Sequence, residues 1–504
     1  MATSSEEQTL LSVLNPRNWK FKKSHQEEIA DLKIKKYLWV FPVLTVLVFS
    51  VYLNSLGNSL VSDDKGLLEE GANLAQLQYI FADPLSIIRS IFYALLYQID
   101  GVNPPIFRLL NIFFHLGNTF LVFTIVSLLI KPRVGMITAA LFAVHPLLTE
   151  SVTWISGGPY SQYTFFFLLS FLLYILFRRN KLQRYYWLSL GTFLVGLLSS
   201  NRVLTLSLVF LVYEWAMGDV RVNWRRLLPY FSLSIFWGLA YLFQIGGRST
   251  NLAEMTFSSG GTFNPFIQIP FAITSYLELI FYPLELTFYH SDLKLNGLRI
   301  AEKWLGLVLL LVGMWVSFRL NRKLFFWLTF FVISLLITLT PFKISQIVAE
   351  RYVYLGTIGI LVVGSYFLDK LISIKETKVV GFLLVGLLVL GLGIRTIYRN
   401  TDWKDTDTLM LATVATTPES PRAQNNVGAY YYNLGDLQKA EEHFKAAIAN
   451  NPRFLDAYRN LVIMYSKNGE KEKAVQLINQ GLQYSPHSPL LKNLLLSLSQ
   501  DSVN

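Results

Sequence analysis

The feature that most constrains this chain is a succession of long apolar segments between Tyr37 and Ile394. About 20 apolar residues cross the hydrocarbon core of a bilayer as one helix. A chain that repeats such stretches with short polar joints folds as a bundle of membrane helices, each satisfying its own backbone hydrogen bonds. The first segment runs from Tyr37 to Leu56. Others lie near 104–130, 134–149, 162–177, 185–200, 203–218, 227–245, 303–318, 324–340, 352–368 and 379–394. Only 15% of residues are charged and 53% are hydrophobic, against about 25% charged in a soluble domain. A cytosolic globular enzyme and a disordered chain are both excluded. Cysteine is absent, which removes disulfides, zinc-thiolate sites and thiol catalysis.

The net charge of +11 reads as membrane topology rather than as a nucleic-acid face. Residues 1–36 are polar and basic; no apolar run with a cleavage site starts the chain, so no removable signal peptide is expected, and the segment reads as cytoplasmic. Basic clusters at Lys131/Arg133, Arg178/Arg179/Lys181/Arg184, Arg221/Arg225/Arg226, Arg319/Arg322/Lys323 and Lys370/Lys375/Lys378 then fall on the same side. The segment 266–288 is apolar but interrupted by Pro270 and Pro283, and is expected to enter the membrane or lie at its outer interface without crossing. The result is an all-α chain of about eleven spans, N-terminus inside and C-terminus outside, with an outer loop at 246–265 carrying Arg248.

From about residue 398 the composition turns polar and a 34-residue period appears. Tyr431, Gly435, Ala440 and Pro452 recur as Tyr465, Gly469, Ala474 and Pro486. This is the tetratricopeptide pattern of paired antiparallel helices. The small Ala440 and Ala474 allow close helix contact, Gly435 and Gly469 sit at the turns, and Pro452 and Pro486 stop the second helices. The chain thus divides into residues 1–36, a membrane domain at 37–397 and an extracytoplasmic repeat domain at 398–504. The last holds two full repeats near 421–454 and 455–488 and a partial one before them.

Polar residues inside such a chain single themselves out, because the membrane penalises them unless they face protein or water. Asp63-Asp64-Lys65 follows the first span. Arg108, Asn111, His115 and Asn118 share one helix face. His145-Pro146 and Thr149-Glu150 end the third span, Asn201-Arg202 follows the fifth, and Glu350-Arg351 opens the tenth. Asp63, Asp64, Glu150 and Glu350 thereby collect at the outer boundary with Arg108, Arg202 and Arg351. Acids and arginines at one boundary suit chemistry on a phosphorylated lipid: arginine grips phosphate with two donors and a carboxylate deprotonates an acceptor hydroxyl. The plain alternative is a set of independent structural ion pairs. Walker loops, dinucleotide fingerprints, Gly-x-Ser-x-Gly motifs and histidine pairs at metal-ligand spacing are all missing.

The order of these features resembles the TMTC-type proteins, transmembrane and tetratricopeptide-containing members of the GT-C glycosyltransferase superfamily, with protein O-mannosyltransferases as more distant relatives. The matching stretches are Asp63-Asp64-Lys65, Phe107 to Asn111 with His115 to Thr119, Leu141 to Pro146 with Thr149-Glu150, Val348 to Leu355, and Arg399-Asn400 with Trp403. The resemblance implies a GT-C fold, an active site on the outer face, a polyprenyl-phosphate-linked sugar as donor and inverting transfer to an acceptor such as a protein Ser or Thr hydroxyl. It implies Asp63 as general base, with Asp64 and Glu150 beside it, and Lys65, Arg108, His145, Arg202, Glu350 and Arg351 as donor-phosphate or substrate contacts. Related proteins often carry a Lys-Glu pair where this chain has Asn201-Arg202, and many carry long repeat arrays where this one has two full repeats.

Other readings are a membrane protein without catalysis whose repeats recruit a partner for envelope glycan assembly, and a transporter. An anchor needs one or two spans rather than eleven. Transport predicts polar groups at mid-membrane, where only His115 and Glu214 stand apart from the boundary cluster. The expected partners are a membrane lipid donor and an acceptor bound through the repeats, with no nucleic acid. No cofactor or metal is assigned beyond the lipid-linked sugar; an acidic pair can hold a divalent cation, but carboxylates beside arginines do not require one. Short outer loops and a small repeat domain point to a bacterial or archaeal plasma membrane rather than the endoplasmic reticulum.

Overall fold

The computed structural model describes residues 34–68, 74, 80–81, 83–255, 264–290, 296–339 and 346–500; of these, the side chains of 34–35, 245–255 and 499–500 are not described. Most of the basic N-terminal segment and the last four residues fall outside this range. Every regular element among the described residues is helical. Each of the eleven apolar segments falls in a helix. Among the described residues six helices are long and apolar enough to cross a membrane: Pro104–Leu129, Pro159–Asn180, Val220–Gln244, Gly297–Leu320, Glu350–Ser373 and Lys378–Asp402. A seventh candidate is the pair Pro132–Ala143 and Pro146–Val152, bent by 56°. The bend has a local cause. Pro146 lacks an N–H and drives the preceding residue out of the helical region, and His145 sits at φ −75°, ψ 121°. The chain is an integral membrane protein.

Burial sorts these helices. Two-thirds of the apolar window of Pro104–Leu129, Pro159–Asn180 and Glu350–Ser373 is buried, against 6% for Gly297–Leu320 and 11% for Val220–Gln244. The first three are the centre of the bundle. The others present apolar side chains such as Phe236, Phe243, Leu305 and Leu309 outward, as a lipid-facing helix does. One expectation is corrected here: the segment 246–265 is not a loop throughout, because the Val220 helix runs on to Met255. Residues 266–288 supply the 17-residue helix Pro265–Phe281 with Pro270 inside it; it packs against Gly297–Leu320 and buries Phe271, Ala272 and Tyr276.

The repeat region is a stack of short antiparallel helices, Pro421–Asn433 with Leu437–Asn450 and Leu455–Lys467 with Lys471–Tyr484, followed by Pro489–Gln500. Gly435 and Gly469 hold φ +80° and +79° at the two turns, a conformation that penalises any residue with a Cβ. Ala440 and Ala474 are fully buried where the helices cross. Ahead of them stands Thr406–Thr416, only three residues after the last membrane helix. Trp403 in that joint stacks on Trp154 at 5.6 Å and meets Phe288 edge-on at 5.7 Å. With Val61, Leu409, Met410 and Val427 these rings make a separate apolar core that fixes the repeats to the bundle.

Candidate functional site

Three polar systems meet at the end of the bundle that carries the repeats. The first is a strap. Residues 58–62 leave the first apolar helix and run alongside 400–406. Asn58 Nδ2 donates to the Asn400 carbonyl at 2.9 Å, Ser59 N–H to the Lys404 carbonyl at 2.8 Å, and Ser62 N–H to Thr406 Oγ1 at 3.0 Å. From the other side Arg108 donates to the carbonyls of Asn58, Ser59 and Thr153. The strap leads into the short helix Asp63–Leu68. Asp64 is fully buried and accepts from Ser156 N–H at 2.8 Å, Ser156 Oγ at 2.6 Å and Val61 N–H at 3.1 Å. Burial pushes its carboxyl above the usual carboxylate range, opposed by those donors and by the Arg108 charge. Asp63, by contrast, is exposed, and among the described residues its side chain meets Ser62 Oγ at 3.4 Å.

The second system is a pair of acid–arginine clusters built on the chain reversals at Glu150 and Glu350. Glu150 is buried; its Oε2 accepts Arg351 N–H at 2.6 Å and its Oε1 is ion-paired to the Arg351 guanidinium. Arg351 also donates to Gln346 Oε1 at 3.2 Å and lies 5.4 Å from the Trp154 ring. Glu350 Oε1 meets Arg399 Nη2 at 3.0 Å and His290 Nε2 at 3.2 Å, while its Oε2 is buried without a hydrogen-bond partner. Arg399 turns its other terminal nitrogen to Asp402 at 3.0 Å. The third system is aromatic: Tyr160 and Tyr352 stack at 5.9 Å, and the Arg202 guanidinium sits 4.4 Å from the first ring and 5.7 Å from the second. Arg202 donates to Tyr160 Oη at 2.6 Å, has no carboxylate partner among the described residues, and leaves its Nε unused. The Arg351 guanidinium lies 5.0 Å from the same Tyr352 ring, so two cations approach one tyrosine.

The structure therefore brings Glu150, Glu350, Arg351 and Arg202 together and places Asp63, Asp64 and Lys65 in the short helix that follows the strap at the same end, with Asp63 and Lys65 exposed. Two residues read as substrate contacts sit otherwise. Arg108 is fully buried with all three guanidinium nitrogens donating to carbonyls, so it ties backbone rather than waiting for a phosphate. His145 is likewise occupied. Its Nε2 donates to the Ile280 carbonyl at 3.1 Å and its Nδ1 accepts from Leu147 N–H at 3.3 Å, the neutral imidazole capping the Pro146 turn. Arg399, His290, Asn400 and the Tyr160–Tyr352 pair carry no role in the sequence reading. Asn400 proves to be a hub, donating to Val51 and Asn54 and accepting from Thr153 Oγ1 at 2.7 Å. Arg399 had one visible signal, an acid at i+3 where the last apolar helix meets the repeats. Among the described residues no three His, Asp or Glu side chains converge as a metal-binding group.

Fold and site together define a polytopic helical membrane protein with an ionic cluster at one end, against which tetratricopeptide repeats are docked. Tetratricopeptide repeat models match residues 409–453 and 432–498. The chain is similar to TMTC-type proteins. It is 23% identical over 89% of its length to Protein O-mannosyl-transferase TMTC3 of Mus musculus, covering 54% of that protein, and 31% identical over 24% of its length to Protein O-mannosyl-transferase Tmtc2 of Drosophila melanogaster, covering 13%. It thus spans about half the length of the first of these, or less. Among solved structures, ArnT from Cupriavidus metallidurans bound to undecaprenyl phosphate superposes over 88% of this chain and 80% of its own at a TM-score of 0.40 and 12% identity.

Proposed function

We propose that this chain is a GT-C-type glycosyltransferase that moves a sugar from a polyprenyl-phosphate-linked donor to a hydroxyl acceptor, a protein Ser or Thr, on the extracytoplasmic face of a bacterial or archaeal plasma membrane. The observation that carries this reading is Arg202. A half-buried guanidinium with no carboxylate partner among the described residues, packed against two tyrosines and beside Arg351, is a cation prepared for an anion from outside the chain. The curated relatives carry the name protein O-mannosyl-transferase, which supports the reaction class.

The residues divide the reaction as follows. The acceptor O–H gives its proton to the exposed Asp63 carboxylate as its oxygen attacks the anomeric carbon. The bond from that carbon to the lipid phosphate oxygen breaks, and the electron pair leaves with the polyprenyl phosphate. Arg202, with Arg351 beside it, stabilises the negative charge on the departing phosphate. Glu150 holds Arg351 in place through both its backbone N–H and its guanidinium, and Asp64 holds the strap through Ser156. The test is purified protein in nanodiscs with a panel of labelled polyprenyl-phosphate sugars and acceptor peptides, following release of polyprenyl phosphate, with Asp63→Asn as control. Release by wild type and not by the variant is the expected result. Turnover that persists in Asp63→Asn overturns the base assignment, and silence toward every donor overturns the transferase reading.

A further inference from the structure

The residue immediately before Asp63 is held in an unfavourable conformation. Ser62 has φ +50°, and it and Lys181 are the only non-glycine residues with positive φ among those described. The left-handed region costs an ordinary residue on the order of 1–3 kcal/mol and persists only where its surroundings over-determine it. Lys181 ends a helix, where such a conformation is common. Ser62 ends nothing; it lies between the strap and the first turn of Asp63–Leu68.

What over-determines Ser62 comes from the repeat side. Its N–H donates to Thr406 Oγ1 at 3.0 Å, 344 residues on. Thr406 is the first residue of Thr406–Thr416, whose N-cap is Asp405, with its side chain accepting from Thr408 N–H at 2.8 Å. Because Asp405 does the capping, the Thr406 hydroxyl is left for the contact with Ser62. Ser59 N–H on the Lys404 carbonyl and the Arg108 grip on the Asn58 and Ser59 carbonyls fix the chain just upstream. Downstream, Asp64 is locked by Ser156 and Val61. The exposed Asp63 is thus the one acid between two anchored positions, and the Ser62 peptide plane sets where its side chain emerges.

We infer that Thr406, a residue of the repeat region, is a positioning residue for the reaction: by accepting the Ser62 N–H it holds the strained turn that aims Asp63 at the acceptor hydroxyl. The inference rests on Asp63 being the base. It makes the repeat domain part of the catalytic geometry in addition to any role in gripping an acceptor. Thr406→Val keeps the shape and removes the hydroxyl acceptor. Thr406→Ser restores it. Ser62→Gly makes φ +50° accessible without strain.

The experiment measures kcat and donor KM for these variants in nanodiscs, alongside Asp63→Asn and thermal unfolding. The expected result is a roughly tenfold fall in kcat for Thr406→Val at unchanged donor KM and unchanged unfolding temperature. Thr406→Ser returns to near wild type, and Ser62→Gly added to Thr406→Val recovers part of the loss. Equal falls in the valine and serine variants overturn the inference, because the hydroxyl then does not matter. So does a wild-type kcat for Thr406→Val while Asp63→Asn is dead. Activity in Asp63→Asn instead sinks the functional reading on which the inference rests, and the two failures are told apart by that control.

Discussion

The two ends of the helix bundle are built from the same residue types and do different things with them. At the end away from the repeats, Glu214 is buried with both oxygens engaged: Oε1 by Tyr174 Oη at 2.8 Å and Arg178 Nε at 2.6 Å, Oε2 by Asn223 Nδ2 at 2.9 Å and Asp219 N–H at 3.2 Å. Asp369 there is ion-paired to Lys131 and lies 3.6 Å from Arg133, its Oδ1 buried without a hydrogen-bond partner. These groups tie Pro159–Asn180, Leu206–Ala216 and Val220–Met255 together, and Lys131 to Glu350–Ser373. At the repeat-bearing end the accounting is incomplete. Arg202 has no carboxylate partner among the described residues, Asp63 is exposed and Ser62 is strained. A buried ion pair that satisfies itself is a brace. An assembly with spare donors and acceptors is ready for a ligand, and that difference separates a site from a mere concentration of charge.

The comparison breaks most visibly at Asp63. Asp63→Asn is expected to lower transfer by roughly 10²–10⁴-fold, the range of a general base, with unfolding temperature unchanged. A stability loss instead of an activity loss would make the repeat-bearing end a brace like the other. Next in size is the opposite experiment. Glu214→Ala leaves the half-buried Arg178 without its carboxylate and the buried Tyr174 hydroxyl without its acceptor, and is expected to cost about 3–5 kcal/mol of stability, read by thermal unfolding in detergent, while the surviving folded fraction keeps the wild-type donor KM. A raised KM there would mean that the far end also touches substrate. Arg202→Ala should do the reverse and raise the donor KM about tenfold or more, the loss of a charged hydrogen bond worth roughly 1.5–3 kcal/mol. Its structural cost is only that of the ring contacts, about 0.5–2 kcal/mol.

The smallest effect concerns pH. The native Asp64 carboxyl is raised by burial, so the folded protein binds its proton more readily than the unfolded chain. Between the ordinary carboxylate value and the raised native one, the folded state carries more protons, and stability rises as pH falls through that window. Wild type should therefore gain stability relative to Asp64→Asn as pH drops from neutrality toward the usual carboxylate range. A difference that stays flat would show that Asp64 is as easily charged as a solvated acid.

The helical architecture and the repeats were legible because both depend on periodicity, and periodicity is written along the chain. The 34-residue register of Gly435 with Gly469 and Ala440 with Ala474 needs no knowledge of tertiary contacts. The polar residues are different. That Glu150, Glu350, Arg202 and Arg351 gather at one end could be inferred from their places at helix ends. Which of them pairs with which could not, since Glu150 and Arg351 are 201 residues apart. Arg108 and His145 were drawn toward substrate because a sequence shows charges and rings but not the carbonyls that occupy them. Asn58, Ser59, Thr153 and Ile280 contribute only backbone oxygens, which every residue has. Trp403 was visible in the family-like stretch with Arg399-Asn400, yet its stack on Trp154 depends on two turns from opposite ends of the sequence closing on each other.

The short joint between membrane and repeats has a mechanical consequence. Lys378–Asp402 runs unbroken to within three residues of Thr406, and Arg399 on its final turn is clamped to Glu350. There is no slack there to absorb a load. A displacement of the repeats is passed along this rod straight to the acid that neighbours Arg351. The repeat stack is thus a lever whose fulcrum is the ionic cluster itself.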